Sequence, residues 1–224
     1  MNTSVIIPYK EDSPERRRNL LFLIDHLKNL NWEIIVVEMD YLEHMFHPNI
    51  KKIFIKSSDM FNKSKCYNEG VKQSKYKQLF LTDSDIILPY HVYQYIPINL
   101  QEFDVVDPYK FVYYYAEPET KSIINDPRGF NGFYYKKVIS GIISGGCFGI
   151  NKDVYNMLKG FPEECSGWGY EDSIFDRKIK WYNLKVKKFN EYCIHLNHPV
   201  IESYHTNVQK NKDVWKEYML KRNM

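Results

Sequence analysis

An alternation of short apolar runs with helically spaced segments, maintained from Ser4 to Thr82, limits what this chain can fold into. Ser4 to Tyr9 (SVIIPY) is an apolar run ended by proline, as expected of a buried strand emerging at a sheet edge. Leu20, Leu23, Ile24, Leu27 and Leu30 then recur at the spacing of one helix face. Glu33 to Glu38 (EIIVVE) and Lys52 to Ile55 supply two more strands, Ser64 to Ser74 a second helix, and Gln78 to Thr82 (QLFLT) a fourth strand. This order predicts an α/β fold in which a mostly parallel, Rossmann-like sheet is flanked by helices on both faces. Residues 1–100 read as a nucleotide-binding half.

Beyond that point the pattern loosens. Phe103 to Asp107 (FDVVD) is another strand. Pro108 to Lys137 is rich in aromatics, Pro, Gly and Asn with weak periodicity, which predicts either a functional loop or lid, or aromatics packed on the sheet. Ser144 to Ile150 (SGGCFGI) reads as a strand entered through glycines, with Asn151 capping a short helix that runs to Lys159. Glu171 to Tyr182 is helical, with Ile174, Phe175, Lys178 and Trp181 near one another. A strand at Val186 to Phe189 leads to Ile194 to His198, and a helix is expected from Val208 onward. With no internal repeat or linker, the 224 residues are expected to form a single domain.

Composition excludes some functions. A formal charge of +3 gives no electrostatic case for nucleic acid as a partner. No stretch approaches the roughly 20 apolar residues of a membrane span, and the N-terminal residues lack signal-peptide character. The cysteines (Cys66, Cys147, Cys165 and Cys193) form no CxxC pair, as expected of reduced thiols. The expectation is a cytoplasmic chain. Arg16-Arg17-Arg18 fits a solvated helix face or a phosphate contact.

Three constellations carry chemistry. Asp83-Ser84-Asp85 follows the fourth strand directly, and open α/β sheets bind ligands at the carboxyl ends of their strands. Two carboxylates so placed can share a divalent cation bound to a diphosphate, or they can belong to a solvated turn. Gly167-Trp168-Gly169-Tyr170-Glu171-Asp172 bends the backbone around an indole suited to sugar stacking. Its two acids either satisfy free amides at a helix start or supply a general base, Asp172. His195 and His198 follow the last strand as surface residues or as ligands to the same metal. Mixed oxygen and imidazole ligation suits Mn²⁺ better than Mg²⁺.

The joint order of FNKSK, DSD, a glycine-preceded strand, GFPEE and GWGYED closely resembles the catalytic domain of β-1,4-galactosyltransferases and related chondroitin-polymerase-like, inverting GT-A enzymes. It spans the chain from about Val5 to Pro199. The resemblance implies a metal-dependent glycosyltransferase that moves a sugar from a nucleotide-sugar donor, such as a UDP-sugar, to a hydroxyl of a glycan or other acceptor. It makes residues 101–205 the acceptor and catalytic half and 206–224 a C-terminal helix. Pro8, Tyr9 and Lys10 match a nucleotide-contacting loop, which Glu11 to Glu15 separates from Arg16. Glu38 matches a base or ribose contact. Phe61, Lys63 and Lys65 match the nucleotide and phosphate site. Asp83 matches the ribose-side aspartate and Asp85 the metal ligand, joined by His198, with His195 as second choice. Gly145 and Gly146 match a segment near the transferred sugar. Trp168, Gly169 and Tyr170 match the acceptor side, Glu171 a sugar-hydroxyl acceptor, and Asp172 the catalytic base.

Two departures stand out: Ser173 follows Asp172 where the family continues with acidic residues, and Tyr170 replaces a glycine. Two other functions fit parts of the pattern. A nucleotidyltransferase would need a glycine-rich loop after the first strand, which PYKEDSPE lacks. A non-catalytic sugar-binding module would be expected to lose metal or base residues, and all are present.

Overall fold

The computed structural model describes residues 2–126, 135–138, 141, 143 and 145–220. The chain runs β1 (Thr3–Tyr9), α1 (Pro14–Leu27), β2 (Glu33–Asp40), β3 (Lys51–Lys56), α2 (Lys63–Gln73), β4 (Gln78–Thr82), β5 (Ile86–Ile87) and α3 (Tyr90–Asn99). It continues through β6 (Val105–Asp107), β7 (Phe111–Tyr114), α4 (Glu117–Asn125), β8 (Tyr135–Val138), β9 (Cys147–Asn151) and α5 (Lys152–Met157). The last elements are α6 (Glu171–Trp181), β10 (Val186–Lys188), β11 (Tyr192–His195), a 3₁₀ turn (Glu202–Asn207) and α7 (Val208–Leu220).

Among the described residues a seven-stranded sheet has the order β10-β6-β9-β4-β1-β2-β3. β3, β2, β1 and β4 are mutually parallel, and β9 runs antiparallel between β4 and β6. β1 is buried along its whole length, as a central strand covered on both faces must be. Its side chains alternate: Val5, Ile7 and Tyr9 join the core with Leu20, Leu23 and Ile24 of α1, whereas Ile6 faces Cys66, Tyr67 and Val71 of α2. The helix starts are set locally. Ser13 Oγ accepts the Arg16 amide with Pro14 opening α1, and Asn62 Oδ1 accepts the Lys65 amide at the start of α2.

Several expectations change here. The 108–137 segment is not one long loop: β7, α4 and β8 organise its described part, while residues 127–134 lie outside the described residues. β7 is one of the two inner strands of a second sheet ordered β5-β11-β7-β8, so its aromatics are tied to the strand that carries His195. Asn151 does not cap α5 with its side chain. Its amide instead donates to the carbonyls of Leu100 (3.1 Å) and Phe103 (3.2 Å), joining β9 to the end of α3. The strand expected from Ser144 starts at Cys147, and Ser144 lies outside the described residues. α3 was not anticipated: Pro97 interrupts its pattern but sits in the last turn, while Val92, Tyr93 and Ile96 are buried. No helix among the described residues is long and apolar enough to cross a membrane.

The docking of α2 on β1 depends on Gly70. A methyl group there would overlap Ile6 Cγ2 and stand 3.0 Å from Val37 Cγ2. The overlap should outweigh the helix propensity that alanine adds. Gly70→Ala is expected to cost about 2 kcal/mol, lowering the melting temperature by about 4–8 °C. A melting temperature at or above wild type would contradict this packing.

Candidate active site

The site forms where strands separated in sequence end together. β4 delivers Asp83 and Asp85. The antiparallel neighbour β9 starts beside them, with the Asp83 amide donating to the Gly146 carbonyl at 2.8 Å. β5 pairs with β11, setting Ile86 opposite His195, and the Leu196 amide donates to the Asp85 carbonyl at 2.9 Å. Residues more than a hundred positions apart in sequence thus share one sheet end.

Asp85, His195 and His198 form the potential metal-ligand cluster, with one ligand atom from each lying within 4.8 Å of the others. His198 Nε2 is 3.0 Å and His195 Nε2 4.0 Å from the Asp85 carboxylate. His195 Nδ1 faces the Leu196 carbonyl at 3.1 Å and His198 Nδ1 the Pro199 carbonyl at 2.8 Å. A carbonyl only accepts, so each Nδ1 carries hydrogen and each Nε2 is left to turn toward Asp85. Arg16 Nη1 lies 3.7 Å from Asp85 Oδ2. Burial alone would raise the Asp85 pKa, but His195, His198 and Arg16 outweigh it and hold the carboxyl well below the usual range. Burial opposes the His198 imidazolium, yet its hydrogen bond and attraction to Asp85 raise its pKa.

Lys63 organises the other half. Its ammonium is 3.5 Å from Asp83, 3.2 Å from Glu171 and 3.3 Å from Asp172, with only 16% of the side chain exposed. Burial alone would lower the lysine pKa, but the three carboxylates raise it well above the usual value. Tyr67, one turn along α2, donates to Asp83 Oδ1 at 3.1 Å. Asp172 behaves oppositely to Asp85. Burial pushes its carboxyl up, Lys63 pulls it down, and repulsion from Glu171 and Asp83 leaves it at about 7. Its Oδ1 is enclosed and has no hydrogen-bond partner among the described residues. Asp172 opens onto a cavity of about 440 Å³, together with Gly145, Tyr170, Arg177 and Trp215. A methyl group on Gly145 would come within 3.1 Å of Asp172 Oδ2, so glycine preserves the space before the carboxylate.

The GWGYED turn uses three positive-φ conformations within four residues: φ is +72° at Gly167, +98° at Gly169 and +73° at Tyr170. Tyr170 carries a side chain where glycine would sit without strain. Trp168 is 60% exposed, its ring 4.8 Å from His205. The turn is clamped from behind by the fully buried Asn211 of α7, which donates to the carbonyls of Ser166 (3.0 Å) and Trp168 (3.3 Å).

Some expected donor contacts lie elsewhere. Glu38 is fully buried, and its two carboxylate oxygens accept the amides of His44 (2.8 Å) and Met45 (3.0 Å). It anchors the loop after β2 and has no surface for a ribose. Pro8 and Tyr9 are also buried, with Tyr9 Oη donating to Glu11 at 3.0 Å, so a ligand at this strand end meets Lys10 rather than those side chains. Of the arginine run, Arg16 faces the site, while Arg18 binds Glu117 and the Asn197 carbonyl. Phe61 packs 6.4 Å from Tyr204, and its carbonyl accepts the Gly167 amide at 2.8 Å. Sequence reading missed Tyr67, Asn211 and Tyr204; Tyr204 donates to Asp12 at 2.5 Å and accepts the Trp168 amide through its carbonyl at 3.0 Å. Only Tyr67 left a signal, four residues after Lys63 on a helix face.

Residues 128–199, which contain GWGYED and both histidines, match a family model described as the N-terminal domain of galactosyltransferase. The chain is 23% identical over 190 residues to β-1,4-galactosyltransferase 3 of Cricetulus griseus, covering 83% of this chain and 39% of that protein. It spans less than half the length of the curated relatives it matches. A solved structure of a Drosophila β-1,4-galactosyltransferase 7 variant with manganese, UDP-Gal and xylobiose superposes with a TM-score of 0.56 at 15% identity, over 92% of this chain and 74% of that one. The S. aureus TarS structure gives 0.58 at 15% identity, over 88% and 60%. The chain therefore has a galactosyltransferase-like GT-A fold.

Removing the central cation tests the electrostatic arrangement. Lys63→Met leaves three partly buried carboxylates uncompensated, a loss expected to be about 2–3 kcal/mol at about pH 8. That is below the cost of breaking a fully buried pair, because Asp83 and Asp172 are partly solvated. Burial raises the pKa of both Asp83 and Asp172, so acid protonates these two and relieves the repulsion, and the loss should shrink toward about pH 5. Equal destabilisation at both pH values in paired thermal melts would exclude this role for Lys63.

Proposed function

We propose that the chain is a metal-dependent, inverting glycosyltransferase that uses a nucleotide-sugar, most simply a UDP-sugar, and an acceptor hydroxyl. The observation carrying this reading is Asp172, a carboxylate that lines a cavity and is joined through Lys63 to Asp83, two residues before Asp85 of the candidate metal-ligand cluster. The relatives' names and the manganese and UDP-Gal in the Drosophila structure support the same direction.

Asp85, His198 and His195 fit a divalent cation, Mn²⁺ rather than Mg²⁺ by ligand type, because both Nε2 atoms turn toward one carboxylate. A cation held there would neutralise the donor diphosphate and stabilise the departing nucleoside diphosphate. Arg16, whose Nη1 lies 3.7 Å from Asp85 Oδ2, sets a guanidinium beside the place where a diphosphate would lie. Asp83 and Lys63 line the donor side, with Lys63 keeping Asp83 and Glu171 from repelling an anionic donor. Asp172 accepts the proton of the attacking hydroxyl, which enters from the cavity opposite the leaving group and so inverts the anomeric centre. Glu171 and Trp168 hold sugar hydroxyls and a sugar face.

Release of nucleoside diphosphate from a panel of UDP-, GDP- and dTDP-sugars, with and without Mn²⁺, tests the reading without a known acceptor. One donor is expected to be hydrolysed slowly in a metal-dependent way, and Asp85→Ala should abolish that release. Asp172→Asn should lower transfer by a factor of about 10² or more while sparing donor affinity. Thermal stabilisation by UDP without turnover of any donor would instead favour a binding module. Because Asp172 must be ionised to accept a proton, kcat/KM should rise with pH through about 7. Protonation of His198 reinforces the fall at low pH. A flat profile between about pH 6 and pH 8 would remove Asp172 as the base.

A further inference from the structure

The cavity in front of Asp172 continues past the reacting position along α6. Ser173, Arg177 and Lys180 fall on one stripe of that helix at spacings of three and four residues, and all three line the cavity. Trp215 of α7 also lines the cavity, its ring 6.1 Å from that of Tyr170. A site of about 440 Å³ lined by an aromatic pair together with polar and charged groups has the make-up of a saccharide site.

Its charges are not evenly neutralised. Asp176 accepts the Ile143 amide at 3.0 Å and pairs with Lys180 at 3.2 Å, while Asp172 faces Lys63. Arg177 has no carboxylate within ion-pair distance among the described residues. Its Nε touches Met219 Sδ at 3.4 Å, which holds the guanidinium at the rim without neutralising it. Ser173, one turn before Arg177 on the same stripe, adds no negative charge to oppose that cation. Arg177 lies five residues from Asp172, roughly 7 Å farther along the axis at a rise of about 1.5 Å per residue, a distance on the scale of one sugar unit.

We propose that this cavity binds an acidic acceptor, with Tyr170 and Trp215 against a sugar ring and Arg177 on a carboxylate or phosphate about one unit beyond the attacked hydroxyl. This rests on the glycosyltransferase reading for its position beside the base. It adds the acceptor's chemical class and two specificity-determining residues, Arg177 and Trp215. Trp215 lies outside residues 128–199, the region shared with the family model. A planar guanidinium suits either anion through paired hydrogen bonds.

The test uses the full chain and two independent readouts. Binding of methyl β-glucuronide, glucose 6-phosphate and methyl β-glucoside is measured by calorimetry or ligand-observed NMR, with UDP and Mn²⁺ present. Transfer to the same three sugars is measured with whichever donor the hydrolysis panel selects. One acidic sugar is expected to bind about tenfold more tightly than the neutral one, and which one wins assigns carboxylate or phosphate. In Arg177→Ala the acidic-to-neutral ratio of kcat/KM should fall about tenfold, with Arg177→Lys recovering part of it. Trp215→Ala should weaken both classes. A merely structural role for Arg177 in seating α7 would move stability or both substrates together, not their ratio.

Equal binding of acidic and neutral sugars, or a ratio unaltered in Arg177→Ala, overturns the proposal. Absence of turnover with every donor counts against the glycosyltransferase reading alone, because the binding measurement still decides the acidic preference.

Discussion

Lys63 is the contact on which this end of the sheet depends. It starts α2, whereas Asp83 ends β4 and Glu171 and Asp172 start α6. Without a buried cation, three carboxylates from two distant segments would repel one another at the sheet end. Burying an ammonium is itself costly, so neither side is stable alone. The fold meets this requirement locally: Asn62 caps α2 and also donates to the Glu163 carbonyl at 2.7 Å, which fixes the helix start against the segment leading to GWGYED. The lysine's position follows from that double anchorage.

The topology explains why the candidate metal-ligand cluster assembles from distant residues. A strand running against its neighbours, β9, brings Gly145 and Gly146 beside DSD, and the two-residue strand β5 recruits β11 to the opposite flank. Asp85 is therefore held by its carbonyl as well as by its side chain, through the Leu196 amide. β11 also pairs with β7, so the aromatic strand Phe111–Tyr114 lies against the histidines, and the Tyr114 ring is 5.0 Å from His195. The second sheet thereby fixes where His195 stands relative to Asp85.

What the sequence disclosed follows from how local each signal is. Strands such as SVIIPY and EIIVVE, covered on both faces, advertise themselves as continuous apolar runs, and the α1 and α2 boundaries carry side-chain caps. α3 and the β7–α4 region were obscured by Pro97 and by aromatics without clear periodicity; tertiary pairing, not local propensity, makes them regular. Among site residues, the DSD aspartates and the GWGYED acids were legible because their motifs place them at element ends. Glu38 misled because an acid at a strand end looks alike whether it faces a ligand or ties down its own loop. Tyr204 and Asn211 act through single long-range hydrogen bonds, which leave no pattern in the chain.

Asp85 and Asp172 are the same residue type set to opposite tasks by their surroundings. Around Asp85, two imidazoles and a guanidinium outweigh burial, so the carboxylate stays ionised and is suited to holding a cation throughout the physiological range. Around Asp172, the single ammonium is shared with two other carboxylates, so burial and repulsion prevail and the group titrates at about 7. A carboxylate poised there can take a proton and release it again within ordinary pH, which one held as low as Asp85 cannot do. The sharing of Lys63 is thus as consequential as its presence. Had the lysine faced Asp172 alone, it would have held that carboxylate low and left a weak base beside the cavity.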